Sequence, residues 1–165
     1  MTEKVKRRNR FDGTKKDKTL VNWGCRYMKA KILQIEGLSF VGKSDSNHWV
    51  SVDGPKEFFG SEAASRPMEL LLLSLGSCTS SDVASILKKK KVDLKRFEIN
   101  LDAERSDKHP KVFTKIHIEY VFYGHDLNPV HLERAIELSQ NKYCPVTPML
   151  KSSVDISTSY RIIDS

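Results

Sequence analysis

The sequence predicts an α+β fold, and three observations carry that expectation. Short alternating stretches fill the region before Pro67, a long apolar helix opens at Pro67, and alternating strands then flank a second helix. Strands that mix with helices without a regular βαβ repeat belong to the α+β class. The expected order is three strands, helix, two strands, helix, strand.

The first strand begins after Met28, where Ala30, Ile32 and Gln34 alternate with Lys31, Leu33 and Ile35. Gly37 is a turn, Trp49 to Val52 continue the pattern, Asp53-Gly54-Pro55 turns again, and Phe58-Phe59 reads as a third short strand. Together these form an N-terminal antiparallel meander. Pro67 suits the first helical position, where its missing N–H is no loss, and Ser65 is the better of two candidate caps. Met68 to Leu75 are apolar almost all round, so the helix is expected to be buried on every face, against the same helix of a second chain. It ends in Lys88 to Lys91, cations placed where the helix dipole favours them. Phe97, Ile99, Leu101 and Ala103 share one strand face. Ile116, Ile118, Tyr120 and Phe122 share another, across a turn at Ser106 to Pro110. Further antiparallel pairing is expected there. Asn128-Pro129 caps a second helix with Leu132, Ala135, Ile136 and Ser139 on one face, ending near Cys144 because Pro145 comes next. Val154 to Ile162 close the chain as a strand.

Charge is distributed unevenly. The 165 residues carry a net charge of +7, but of 28 basic and 21 acidic residues, nine and three fall in residues 1–27. The remainder is nearly neutral, so the basic character belongs to an N-terminal extension, residues 1–27. That extension reads as a disordered tail, with Met28 a candidate initiator of the domain, residues 28–165. A nucleic-acid partner is not expected, since Phe11 is the one ring in the polar run of residues 1–18. The longest uninterrupted apolar stretch lies within Leu70 to Leu75, far from the ~20 residues of a membrane span, so no membrane partner is expected. Cys25, Cys78 and Cys144 are odd in number, widely spaced and lack a Cys-x-x-Cys pair. This excludes a secreted disulfide framework and a structural zinc site from the expectations and points to a reducing, cytoplasmic compartment. His48, His109, His117, His125 and His131 show no metal-ligand spacing, and neither metal nor cofactor is expected.

The chemistry concentrates around Cys78, in Leu-Gly-Ser-Cys-Thr-Ser-Ser-Asp. Gly76 costs a helix interior about 1 kcal/mol relative to alanine, and close approach of another helix is the natural reason for it. The run of Ser74, Ser77, Thr79, Ser80 and Ser81 reads as a polar pocket cut into an apolar helix. Taken alone, Cys78 reads as a small buried apolar residue or as a reactive thiol. The second reading needs a cation, because Cys78 lies too far inside its helix for the dipole to act. Arg66 is the nearest cation in the motif, at about 18 Å along a continuous helix, and Glu69 lies about 13 Å away. A helix break near Gly76, or antiparallel packing of two such helices, would bring them to Cys78.

Pro67-Met68-Glu69-Leu70-Leu71-Leu72 with Leu75-Gly76-Ser77-Cys78, and Lys142-Tyr143-Cys144-Pro145-Val146, resemble the two cysteine motifs of the OsmC/Ohr family. Lys111 to Ile116 and Gly37 to Phe40 fit as well, nearest the YhfA-type branch. The resemblance runs from about Met28 to Asp164. It implies an intertwined homodimer around long central helices, a peroxide substrate and a cellular dithiol as reductant. It further implies that Cys78 attacks the peroxide, Cys144 resolves the sulfenic acid as a disulfide, Arg66 holds the thiolate and Glu69 orients the arginine. Met68 separates Pro67 from Glu69, whereas in the better-characterised peroxidases the glutamate is directly next to the proline. The alternative is a non-catalytic dimer of the same fold that binds a small hydrophobic ligand.

Overall fold

The computed structural model describes residues 27–164, so the basic extension and Cys25 lie outside the described residues. Two sheets and three helices make up the expected class. A meander comprises β1 (Ala30–Glu36), β2 (Ser39–Ser44) and β3 (Trp49–Val52), paired antiparallel in that order. The β1–β2 turn uses Gly37 at φ +53°, where an added Cβ would also meet the Phe59 carbonyl oxygen at 2.3 Å. The strand that completes the meander is therefore Ser39–Ser44, in the middle, and not Phe58-Phe59, which lies at the end of a short 3₁₀ turn, Lys56–Phe58. Phe59 there adopts φ 67°, a left-handed conformation that no strand continues through.

Helix α1 runs unbroken from Pro67 to Lys89. Its cap is Arg66, not Ser65: the Arg66 N–H donates to Glu69 Oε2 at 2.9 Å, while Ser65 bridges to Val52 of the meander. A second sheet has the order β4 (Arg96–Arg105), β5 (Phe113–Tyr123), β6 (Asp155–Ile163), with β5 central. β4 pairs antiparallel with β5, as expected, but β6 pairs parallel to β5. The reason is topological: helices α2 (Pro129–Leu138) and α3 (Val146–Lys151) carry the chain back across the sheet, and a crossover returns a strand in the same direction. Asn128 caps α2 as expected, its Oδ1 accepting from the Val130 N–H at 3.0 Å. Helix α3 is an addition to the expected order. Pro148 falls in its first turn, where a proline loses no hydrogen bond.

One sheet face and the helices form the core. Ile116, Ile118, Tyr120 and Phe122 of β5 are fully or almost fully buried against Leu75, Val83 and Leu87 of α1 and Leu132 and Ala135 of α2. The Phe97 and Phe122 rings stack with centroids 5.0 Å apart. Within the chain, Gly76 permits close approach of β4: an added Cβ would sit 2.8 Å from Leu101 Cδ1.

Burial of α1 departs from expectation within one chain. Leu75, Gly76, Thr79, Val83 and Leu87 are buried, but Leu73 is 55% exposed. The helix is long and apolar enough to cross a membrane by length and composition, yet its second half packs on the sheet and carries Thr79 and Asp82 into a polar network. The meander likewise leaves β1 exposed along all seven residues, including Ile32, Leu33 and Ile35.

Candidate functional site

Helix α2 does not stop cleanly. It passes into a π-helical turn, Ser139–Tyr143, closed by the Cys144 N–H donating to the Ser139 carbonyl at 3.0 Å. An i→i+5 turn inserts one extra residue and re-aims the residues after it, a feature common at functional sites. Cys144 itself is extended, with ψ 110°, as a residue before proline must be. The consequence is that Cys144, buried, faces the middle of α1, and its Sγ lies within 4.8 Å of both Cys78 Sγ and an Asp82 carboxylate oxygen. Cys78 and Asp82 are four positions apart on α1 and so share its face.

A buried hydrogen-bonded chain supports this cluster. Thr79 Oγ1 lies 2.7 Å from Tyr120 Oη and 2.9 Å from Ser139 Oγ, and Ser139 Oγ donates to Asp82 Oδ2 at 3.1 Å. Proton counting orients the chain. A hydroxyl has one proton to give, and Ser139 gives its own to the carboxylate. Thr79 must then donate to Ser139, and Tyr120 to Thr79. Gln140 Nε2 donates to Tyr120 Oη at 2.8 Å and approaches Thr79 Oγ1 at 3.3 Å. Burial pushes the Tyr120 phenol above its ordinary range. The expected polar pocket thus exists, but through Thr79. Ser77, Ser80 and Ser81 instead donate back to the carbonyls of Leu73, Gly76 and Ser77 within the helix.

The Cys78 thiol is pushed up to about 11, first by burial, then by donating to Cys144, with the nearby Asp82 carboxylate adding to the rise. The Val146 N–H, at the start of α3, pulls the other way. Within one chain, then, Cys78 is a thiol at neutral pH.

Arg66 and Glu69 are not brought to it. α1 is continuous through Gly76, which removes the helix-break route and leaves them a distance of roughly 18 and 13 Å along the axis. Arg66 pairs loosely with Glu62 at 3.6 Å, and Glu69 is engaged in capping. Both line a separate cavity of about 550 Å³ with Leu38, Phe40, Met68, Leu72 and Phe113. Asp53 lines it too, its buried carboxylate accepting from the N–H groups of Gly54, Ser61 and Ala63 at 2.7–3.2 Å. Asp82 is the residue the sequence reading missed. Its signal was available: four positions after Cys78 in a helix places it on the same face. Among the described residues, Cys78, Asp82 and Cys144 are also the group whose atoms stand close enough to share a metal ion.

Comparison with known proteins gives the same assignment. The family described as OsmC-like protein matches residues 60–159, which hold α1 and both cysteines. The protein YhfA of Escherichia coli K12 is 39% identical over 136 residues, covering 82% of this chain and 98% of its own. A hypothetical protein from Aquifex aeolicus VF5 superposes with a TM-score of 0.75 at 33% identity, covering 86% of this chain and 99% of its own. An organic hydroperoxide resistance protein OsmC from Legionella pneumophila shares the fold with a TM-score of 0.62 at 17% identity, over 81% of this chain and 96% of its own. Two thiols drawn together from α1 and the end of α2, on a fold and sequence shared this widely, place the chain in the OsmC-like family.

Proposed function

We propose that the protein is a thiol-dependent peroxidase that reduces organic hydroperoxides or hydrogen peroxide, with Cys78 attacking and Cys144 resolving. The observation that carries this reading is the approach of two free thiols, far apart in sequence, to within 4.8 Å. In the first step Cys78 thiolate attacks the terminal peroxide oxygen. An S–O bond forms, the O–O bond breaks, and the alkoxide leaves and takes up a proton as the alcohol. Cys144 then attacks the sulfenic sulfur, the S–S bond forms, and water departs with the hydroxyl and the Cys144 proton. A cellular dithiol, in a reducing compartment such as the cytoplasm, returns both cysteines to thiols. Cys144 suits the resolving role because it sits between a π turn and α3, where the backbone is irregular enough to close the remaining distance to a disulfide. The hydroperoxide-resistance name of the Legionella neighbour supports peroxide as the substrate class.

Cys78 needs a cation to become a thiolate, and in this reading a second copy of the chain supplies it. Leu73, exposed on α1, and the exposed apolar residues along β1 support a homodimer in which two α1 helices run antiparallel, so that Arg66 and Glu69 of one chain approach Cys78 of the other. Sedimentation at micromolar concentration tests this, and a monomer there removes the route for Arg66. The cavity around Met68 and Phe113 favours the second reading, a non-catalytic dimer that binds a small hydrophobic ligand.

The experiment that separates the two is intact-mass spectrometry of reduced protein before and after one equivalent of cumene hydroperoxide. Wild type is expected to lose two hydrogens, and Cys144→Ser to hold a trappable sulfenic acid that Cys78→Ser lacks. A wild type unchanged by the peroxide overturns the peroxidase reading for organic hydroperoxides.

A further inference from the structure

The thiol chemistry leaves one part of the site unused. Asp82 stands against both sulfurs, and a carboxylate beside a thiolate repels it, so for a peroxidase Asp82 works against the attacking anion. Yet the carboxylate is firmly held: Ser139 donates to it at 3.1 Å, Thr79 and Tyr120 stand behind Ser139 in an oriented buried chain, and Gln140 braces the far end. A cation among the three groups turns the repulsion into coordination.

We propose that Cys78, Asp82 and Cys144 of the reduced protein bind one thiophilic divalent cation of the Zn²⁺ class. Two sulfurs and one carboxylate oxygen form a ligand set such cations accept, with a fourth position left for water. The geometry is close to closed. Tetrahedral bonds of about 2.3 Å to sulfur and 2.0–2.2 Å to oxygen place the ligand atoms roughly 3.6–3.8 Å apart. Here all three lie within 4.8 Å of one another with no ion present, so a contraction on the order of 1 Å completes the site. Cys78 and Asp82 are fixed by four-residue spacing on a long helix, and Cys144, between the π turn and α3, supplies the adjustment. The Ser139–Thr79–Tyr120 chain then acts as the outer support that orients a ligating carboxylate. Cys78 and Asp82 are half-buried, which gives the ion and its water a way in. On binding, each cysteine gives its thiol proton to solvent and forms a metal–sulfur bond; no electron moves.

The site itself stands on this geometry. Its consequence rests on the peroxidase reading: a cation that occupies both sulfurs keeps peroxide from Cys78, so the loaded protein is protected and silent. Co²⁺ is the probe, added without oxygen to the reduced, tag-free, full-length protein carrying Cys25→Ser, which removes the one other cysteine of the chain. One Co²⁺ per chain is expected, with thiolate-to-cobalt charge-transfer absorption that Zn²⁺ abolishes. Cys78→Ser and Cys144→Ser should each lose most of that absorption. Asp82→Asn should keep it but bind at least as much more weakly as the roughly 10–100-fold that loss of even an outer partner costs, and Asp82→Glu should recover part of the loss. Absence of the charge-transfer band overturns the proposal, as does Co²⁺ binding that Asp82→Asn and Cys144→Ser leave unchanged. Peroxide-driven disulfide formation is measured separately on metal-free protein. A disulfide without Co²⁺ binding sinks the metal site alone, and Co²⁺ binding without a disulfide sinks the peroxidase reading alone.

Discussion

Replacing Thr79 by valine tests the buried polar chain with the least change of shape. Thr79 is fully buried, and its hydroxyl accepts from Tyr120 at 2.7 Å and donates to Ser139 at 2.9 Å. Valine fills nearly the same volume but leaves the Tyr120 O–H without its acceptor and Ser139 without its donor. Tyr120 keeps the Gln140 amide at 2.8 Å and Ser139 keeps Asp82 at 3.1 Å, so neither group is orphaned outright. One buried donor left unpaired costs about 1–3 kcal/mol. At roughly 2–4 °C per kcal/mol for a chain of this size, a loss near 2 kcal/mol lowers Tm by about 4–8 °C. Thermal unfolding monitored by circular dichroism reads this, at one fixed protein concentration because self-association moves Tm. Thr79→Ser, which keeps the hydroxyl, is expected to restore the hydrogen bonds and lose only a methyl group. Ser139 also starts the turn that aims Cys144, so the peroxide-driven disulfide should form more slowly in Thr79→Val. A Thr79→Val protein within about 0.5 kcal/mol of wild type, with an unchanged disulfide rate, refutes the argument that this chain holds the site.

Two further outcomes are expected from the charges. Delivery of Arg66 across a dimer should bring the inflection in Cys78 alkylation rate below the ordinary thiol value of 9.0, and Arg66→Gln should return it toward the value of about 11 that one chain alone imposes. An inflection near 11 in the native protein defeats that delivery. The Asp53 carboxyl is held below its ordinary 3.8, first by the Ala63 N–H and then by those of Gly54 and Ser61, with burial opposing. A group whose folded value is depressed stabilises above the unfolded value and loses that contribution as pH falls through the folded one. The Ser61 and Ala63 amide resonances should therefore titrate together below pH 3.8 and stop titrating in Asp53→Asn; a midpoint at or above 3.8 counts against the loop being held this way.

Local signals read well from the sequence where physics is local. Pro67, Asn128 and the residue before Pro145 set the ends of α1, α2 and the π turn, because capping and proline sterics act within a few residues. Alternation fixed which faces of β4 and β5 look inward. β2 was hidden because Ser39, Gly42, Lys43 and Ser44 break the alternation, and it is backbone pairing to β1 and β3 that makes the segment a strand. Ser65 looked like the cap, but its backbone is used by the meander, and Glu69 takes the task from three residues inside the helix.

By itself, then, the sequence determined the α+β class, the first residues of α1 and α2, the two thiols and their family. The parallel placement of β6, the turn that swings Cys144 onto α1, and the union of Asp82 with both sulfurs were decided only by the tertiary structure. Contacts between residues dozens of positions apart depend on how the sheet and helices pack, and no periodicity within a segment encodes them. The same holds for Arg66 and Glu69: their spacing on an unbroken helix separates them from Cys78 in one chain, so the roles that the family resemblance implies for them would require packing between chains.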